Sequence, residues 1–129
     1  MKCTRTRLEG MYLIEPRVFR DSRGSFVETW NEERYRELGI DGPCVQDNAS
    51  VSSRGVLRGL HYQSPHPQGK LVSVLEGEVL DVAVDLRSGS PTFGEWCGYT
   101  LSAENGHQLY IPAGLAHGFV TLSRHAVFS

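Results

Sequence analysis

The sequence has few cysteines, no strongly charged stretch and no long apolar run, and each lack argues against a class of protein. Its three cysteines, Cys3, Cys44 and Cys97, include no Cys-x-x-Cys pair, which argues against a disulfide framework and a thiolate zinc site. We expect reduced, buried thiols. With 13 basic and 15 acidic residues and a formal charge of −2, the chain lacks the basic run that nucleic acids or anionic membranes attract.

No apolar segment reaches the roughly 18 residues of a membrane-spanning helix. The basic residues Lys2, Arg5 and Arg7 are not followed by the apolar core of a secretion signal. We therefore expect a cytoplasmic protein with neither a nucleic acid nor a membrane as its partner. The length of 129 residues predicts one domain, residues 1–129, and the chain contains no internal repeat or linker.

Short alternating runs separated by turn residues indicate an all-β sandwich or barrel. In the clearest run, Leu80–Leu86, the leucines and valines share one face while two aspartates and an alanine share the other. We expect the aliphatic face to be the packed one. The other predicted strands are Met11–Ile14, Phe26–Trp30, Val45–Val51, Val56–Tyr62, Lys70–Glu76, Gly94–Leu101, Gln108–Ile111 and Gly118–Leu122.

One short peripheral helix is predicted after Asn31. Asn31 is a suitable N-cap, Glu32 and Glu33 occupy the first turn, where the helix dipole favours acids, and Gly39 is a stop signal.

Two segments resemble the signature motifs of metal-binding cupins, but with altered ligands. In the first, Gly55–Gly77, Gln63 and Lys70 stand where a histidine and a glutamate would bind the metal. The second, Gly106–Thr121, keeps its histidine, His117. Because an ammonium group repels a divalent cation, we expect no metal ion at this site.

Proton chemistry suits the remaining set, His61, Lys70 and His117. An imidazole can remove a proton from a carbon next to a carbonyl while a nearby ammonium stabilises the oxyanion that develops. A single histidine in a strand is more often structural than catalytic. Three such residues at positions that face the interior of a cupin barrel favour an active site.

Two arginines predict an anionic ligand. Arg58 lies three residues before His61, which would put the two side chains on opposite faces of a regular strand, so we predict a bulge at Gly59. Guanidinium groups bind phosphate oxygens bidentately. Arg58, together with Arg23, therefore points to a phosphorylated or nucleotide ligand.

Six ordered blocks extend over essentially the whole sequence: Pro16–Phe26, Gln46–Ser50, Gly55–Gln63, Gln68–Val72, Asp81–Gly94 and Ile111–Phe119. In these blocks the sequence resembles the dTDP-4-dehydrorhamnose 3,5-epimerases, a metal-free branch of the cupins. The resemblance implies a double-stranded β-helix, that is, a cupin or jelly-roll barrel, with one or two short peripheral helices.

The resemblance implies a cofactor-independent isomerase that inverts C3 and C5 of dTDP-4-keto-6-deoxy-D-glucose, next to the C4 ketone, for dTDP-L-rhamnose biosynthesis. In that role His61 would be the general base and Lys70 would stabilise the enolate. A homodimer is implied, with the nucleotide held partly across its interface. The implied substrate-binding residues are Arg23, Phe26, Glu28, Gln46, Asp47, Asn48, Arg58, Lys70 and His117.

The family's general acid, a tyrosine, and the aspartate partner of its catalytic histidine would align with positions beyond Ser129. For residues 1–129 alone the resemblance therefore implies proton exchange with little inversion. The alternatives are a single-site 3- or 5-epimerase of a deoxysugar nucleotide and a non-catalytic sugar-nucleotide-binding form. A metal-dependent cupin oxygenase or isomerase is a further alternative, which Lys70 disfavours.

Overall fold

The structure, a computed structural model, describes residues 1–40 and 42–129. Within these residues there are twelve strands and one short helix. The elements in chain order are β1 (Lys2–Arg5), β2 (Tyr12–Glu15), β3 (Val18–Asp21), β4 (Gly24–Val27), α1 (Glu32–Glu37), β5 (Ser50–Ser53), β6 (Leu57–His61), β7 (Lys70–Glu76), β8 (Glu78–Asp85), β9 (Trp96–Ser102), β10 (Gln108–Ile111), β11 (Leu115–Thr121) and β12 (His125–Phe128).

Two antiparallel sheets enclose the core. One has the strand order β1-β2-β10-β7-β12-β5, the other has the order β6-β11-β8-β9, and β3 and β4 form a separate hairpin. The main core cluster draws side chains from both large sheets, including Val74 and Leu109 from the first and Leu101 and Phe119 from the second. This arrangement confirms the predicted all-β, cupin-type barrel.

Strand β8 buries the face opposite to the one that the sequence predicted. Val79, Asp81, Ala83 and Asp85 are buried, whereas the alternate leucine and valines are only partly covered and Leu86 is 41% exposed. The prediction that the aliphatic face is the packed one is therefore wrong. Hydrophobic alternation identifies the two faces of a strand, but the inward one can be polar when buried partners satisfy its polar groups.

The buried carboxylate of Asp85 shows how such burial is compensated. It accepts hydrogen bonds from Arg87 Nε at 2.9 Å, from Arg87 Nη2 at 2.8 Å and from the hydroxyls of Ser90 and Thr92, each at 2.6 Å. These donors, the guanidinium first, hold the pKa of Asp85 well below its usual range. The β8–β9 loop is thereby fastened to the end of β8.

The short helix is confirmed. The Asn31 side chain accepts a hydrogen bond from the Arg34 N–H at 3.1 Å, as an N-cap should. Tyr35 is fully buried, lies with its ring centroid 4.7 Å from that of Trp30, and donates its hydroxyl to Gln108 Oε1 at 2.6 Å. The helix is thus anchored to β10 of the larger sheet.

Several strand bounds differ from those predicted. Strands β7 and β10 match their predictions, but β1, β3 and β12 were not predicted. In the predicted strand Val45–Val51, regular structure begins only at Ser50. The residues before it lie along the rim of a cavity, where sheet pairing does not hold them.

The three cysteines are free, as predicted, but only Cys97 is buried; Cys3 is half-buried and Cys44 is exposed at the cavity rim. Among the described residues, no helix is both long and apolar enough to cross a membrane. The cytoplasmic location stays a prediction.

Candidate active site

A cavity of about 880 Å³ opens into the barrel and contains most of the predicted site residues. We call it the central cavity. The predicted residues that line it are Gln46, Asp47, Asn48, Arg58, His61, Lys70 and His117.

The lining changes in character with depth. The three residues Gln46–Asn48 are exposed, as are Arg58 and His61, whereas Lys70 is half-buried and His117 is buried. The cavity therefore has a polar, accessible mouth with one histidine near it and a second histidine deeper inside.

Strand β6 carries Arg58 and His61 to the same cavity through a bulge. On the partner strand β11, His117 pairs with His61 and Phe119 pairs with Arg58, with a register shift between the two pairs. Three residue steps on β6 thus match two steps on β11. The extra residue in β6 brings the side chains of Arg58 and His61 to the same face of the strand. The predicted bulge at Gly59 is confirmed.

Two glycines allow β6 and β11 to approach closely at this bulge. A Cβ atom added to Gly118 would lie 2.7 Å from the carbonyl oxygen of Arg58 and 3.1 Å from the Cα of Gly59. One added to Gly59, whose φ is +122°, would lie 2.6 Å from the Cα of Gly118. Only glycine fits on either side, and the contact fixes the distance between the His61 and His117 strands.

The guanidinium of Arg58 is oriented by strand β5. Its Nε donates to Ser52 Oγ at 2.9 Å and its Nη2 donates to the Val51 carbonyl at 3.3 Å. Within the described residues Nη1 makes no hydrogen bond. The fork is therefore held at the cavity with donor capacity left for a ligand.

His117 forms a buried pair with Asp81. His117 Nε2 lies 2.7 Å from Asp81 Oδ2, and the exposed fractions of the two side chains are 8% and 0%. Burial raises the pKa of Asp81, while the hydrogen bond to His117 and the charge of Lys70 oppose that rise. An ionised Asp81 accepts the Nε2–H and so leaves the Nδ1 lone pair of His117 available.

Sequence reasoning had no argument for a histidine partner of Asp81. The alternation of side chains along β8 could have predicted this pair. Asp81 lies on the same face as Ala83, and Ala83 pairs with His117 across β8 and β11. The same signal could not be used while the aliphatic face was taken as the inward one.

The side chains of His61 and Lys70 are not held by other groups. Within residues 1–40 and 42–129, neither the His61 ring nor the Lys70 ammonium forms a hydrogen bond or an ion pair. An imidazole and an ammonium therefore line the same cavity with their polar atoms available for a ligand.

Beneath these polar groups lies an apolar surface that sequence reasoning missed. The rings of Phe119 and Phe128 stack with centroids 4.1 Å apart, and the Phe128 ring lies 6.0 Å from that of His117. Val72, two residues beyond Lys70 on the same face of β7, also lines the cavity. We call Val72, Phe119 and Phe128 the apolar floor.

Three predicted substrate-binding residues lie outside the central cavity. Arg23 and Phe26 belong to the β3–β4 hairpin and border a separate, shallow pocket, and Phe26 is 69% exposed. Glu28 pairs with Arg34 at 2.7 Å beside helix α1. Within one copy of the chain, the structure does not bring these three residues to His61.

Among the described residues there is no group of three or more histidine, cysteine or acidic side chains placed to hold a metal ion.

A family model described as dTDP-4-dehydrorhamnose 3,5-epimerase matches residues 5–129. The chain belongs to this epimerase family. It is 59% identical over 129 residues to the dTDP-4-dehydrorhamnose 3,5-epimerase of Pseudomonas aeruginosa, covering 99% of this chain and 71% of that protein. Identity to the enzyme of the same name from Methanothermobacter thermautotrophicus is 54% over 123 residues, which cover 95% of this chain and 66% of the relative.

A solved epimerase structure has the same fold as this chain. The dTDP-6-deoxy-D-glucose-3,5-epimerase of Legionella pneumophila, solved in complex with dTDP-4-keto-L-rhamnose, superposes with a TM-score of 0.95 at 56% identity. The match covers 98% of this chain and 68% of that one. The epimerases are isomerases that act on sugar nucleotides, and this membership confirms the resemblance found in the sequence.

Proposed function

We propose that the chain binds dTDP-4-keto-6-deoxy-D-glucose in the central cavity and acts as a dTDP-4-dehydrorhamnose 3,5-epimerase. His61 removes the protons from C3 and C5, each next to the C4 ketone, and the Lys70 ammonium stabilises the enolate oxygen. Inversion is completed when each carbon takes up a proton on its opposite face, a proton that comes ultimately from solvent. The observation that carries the proposal is the convergence of His61, Lys70 and His117 in one cavity. No metal or organic cofactor has a part in the proposed reaction.

The ammonium of Lys70 supports the enolate role in particular. Because no carboxylate within the described residues lies within ion-pair distance of it, and Asp81 feels its charge only from further away, its positive charge is available to a negative oxygen in the cavity. Electrostatic stabilisation of this kind is strong where water is excluded. Lys70 is half-buried, between the exposed mouth and the buried floor, and is therefore partly shielded from water.

The mouth of the cavity suits the nucleotide. Arg58, oriented by Ser52, offers guanidinium donors for a phosphate oxygen. The neighbouring Gln46, Asp47 and Asn48 offer amide and carboxylate groups for further polar contacts. The bulky, charged part of the substrate would therefore remain near solvent while the sugar points inward.

The chain would act as a homodimer in which the β3–β4 hairpin of one copy completes the cavity of the other. Support comes from the exposed position of Arg23 and Phe26, away from the cavity of their own copy. In this arrangement both residues could contact the nucleotide across the interface.

Solvent exchange tests the reaction. The protein is incubated with the keto-sugar nucleotide in deuterated buffer, and deuterium at C3 and C5 is measured by NMR. We expect label at both carbons. Label at one carbon supports a single-site epimerase, and binding without label supports a non-catalytic form.

Matched variants distinguish loss of the two proposed catalytic roles from a non-specific effect of substitution on the folded protein. His61→Gln should slow exchange by about 10²- to 10⁴-fold, and Lys70→Met by about 10²- to 10³-fold. His125→Gln and Lys2→Met change the same residue types at exposed positions outside the cavity and should leave the rate unchanged. Normal exchange by His61→Gln would contradict the base assignment.

Subunit complementation tests the hairpin. A mixture of Arg23→Ala and His61→Gln chains forms mixed dimers, in which one of the two cavities has a native hairpin and a native base. We expect the mixture to recover activity that neither variant has alone. A monomer in light scattering, or no recovery, would contradict the shared cavity.

A further inference from the structure

The floor of the central cavity is apolar directly below the groups to which the proposed function assigns the proton chemistry. Val72, Phe119 and Phe128 are 5%, 6% and 9% exposed. All three belong to the main core cluster as well as to the cavity lining. The floor is therefore the inner surface of the hydrophobic core.

The sugar must enter with its nucleotide end outward, because the polar groups lie at the mouth. In a hexopyranose, C4 is the ring carbon opposite C1, which carries the nucleotide. The C4 oxygen and the substituents of C3 and C5 are consequently the deepest parts of the bound sugar. Of these, the C5 methyl group is the apolar one, and it neighbours the C4 oxygen. Lys70 and Val72 lie two residues apart on one face of β7, so the ammonium and the floor can meet these two neighbouring groups.

We propose that the apolar floor selects the group attached to C5 and makes Val72, Phe119 and Phe128 specificity-determining residues for a 6-deoxy sugar. This inference rests on the proposed function and adds the part of the site that recognises the C6 methyl group. The methyl group packs on the stacked phenylalanine rings, and a hydroxymethyl group at the same place is rejected.

Rejection follows from desolvation. A C6 hydroxyl placed on the floor loses its hydrogen bonds to water, and none of the three floor side chains can replace them. His117, which also lines the cavity, has one free acceptor at Nδ1 and can restore only one of them. Asp81 Oδ1 is a buried acceptor without a partner in the described structure. Its carboxylate is 0% exposed and is not among the groups that border the cavity, so it is closed to the sugar.

Two stable ligands that differ only at C6 provide the test. Binding of dTDP-6-deoxyglucose and of dTDP-glucose to the protein is measured by isothermal titration calorimetry. We expect the 6-deoxy ligand to bind about ten- to a hundredfold more tightly, the discrimination that an apolar pocket achieves against an added hydroxyl. Equal affinities, or tighter binding of dTDP-glucose, overturn the inference. If neither ligand binds, the proposed function itself fails.

A pair of valine-to-threonine variants locates the effect. Val72→Thr puts a hydroxyl on the floor, where it can bond the C6 hydroxyl and reduce the preference by about two- to tenfold. Val74→Thr makes the same change two residues further along the same buried face, at a residue that is not among those bordering the cavity. This variant should keep the wild-type preference.

Phe128→Leu supplies a variant that keeps the floor apolar. It should weaken both ligands while leaving their ratio unchanged. Thermal unfolding of each variant confirms that the measured protein is folded. An unchanged ratio in folded Val72→Thr, or a ratio that falls equally in Val74→Thr, assigns the selection to other residues and overturns the inference.

Discussion

Replacing Gly118 by alanine should separate β6 from β11. Gly118 and Gly98 are the cross-strand partners of Val82 on its two sides, in β11 and β9. A Cβ atom at Gly118 would lie 2.7 Å from a backbone oxygen of β6, whereas one at Gly98 would meet its nearest atoms at 3.4 Å. The same substitution at neighbouring positions thus gives a severe clash in one case and ordinary contact in the other.

The expected cost follows from what the new methyl group meets. The clash at Gly118 is with the backbone of Arg58 and Gly59, which cannot rotate away as a side chain could. Overpacking of this kind costs about 1–3 kcal/mol, and we expect Gly118→Ala to lie near the upper end. For a chain of 129 residues, about 2–3 kcal/mol lowers the Tm by about 7–11 °C. Gly98→Ala should stay within about 1 kcal/mol of wild type, because alanine also reduces the entropy of the unfolded chain.

Thermal and urea unfolding of the two variants measure this difference. Because the displaced strand carries Arg58 and His61, Gly118→Ala should also weaken binding of the nucleotide sugar, while Gly98→Ala should not. The reasoning is refuted if the two variants have the same Tm, or if Gly118→Ala loses stability but binds as tightly as wild type.

Three further substitutions test buried polar groups, each by urea unfolding as a function of pH. Asp85→Asn should cost about 3 kcal/mol at pH 7 because it leaves Arg87 without its carboxylate. Since the folded pKa of Asp85 is lowered, that difference is complete above about pH 4, the usual carboxyl range, and shrinks at lower pH, where the unfolded carboxyl takes up its proton first. Asp81→Asn should change stability by no more than about 1 kcal/mol, because it removes a buried charge whose pKa burial raises and keeps an acceptor for the histidine. A loss as large as that of Asp85→Asn would contradict this contrast. Tyr35→Phe should cost about 1–3 kcal/mol by leaving the amide oxygen of Gln108 unpaired. Because burial raises the pKa of Tyr35 to about 12, the wild-type advantage should decline above about pH 10, where the unfolded phenol ionises first, and an advantage constant to pH 11 would contradict it.

Local sequence signals predicted the features that depend on nearby residues. The bulge at Gly59 followed from the odd spacing of Arg58 and His61, and the helix followed from Asn31 and the two acids after it. Both depend on a few consecutive residues whose chemistry permits few backbone conformations.

Features that depend on distant residues could not be predicted in the same way. The inward face of β8 is decided by donors on other segments, with His117 paired to Asp81 and a loop that encloses Asp85. The apolar floor joins β7, β11 and β12, and the last of these strands had no predicted counterpart. A strand pattern alone does not specify such cross-sheet neighbours.

The separation of Arg23 and Phe26 from His61 has a similar origin. The resemblance assigned them to one site, but the β3–β4 hairpin that carries them pairs only with itself within the described sheets. A sequence motif does not show whether its side chains contribute to the site of their own chain or to the site of a second copy.

The two tryptophans give this domain optical reporters in different environments. Trp30 lies in the wall of the central cavity against Tyr35, whereas Trp96 is 62% exposed on β9. A Trp96→Phe chain would therefore emit only from the cavity wall. Its fluorescence would follow occupancy directly, so affinities could be read for ligands that undergo no reaction and carry no label.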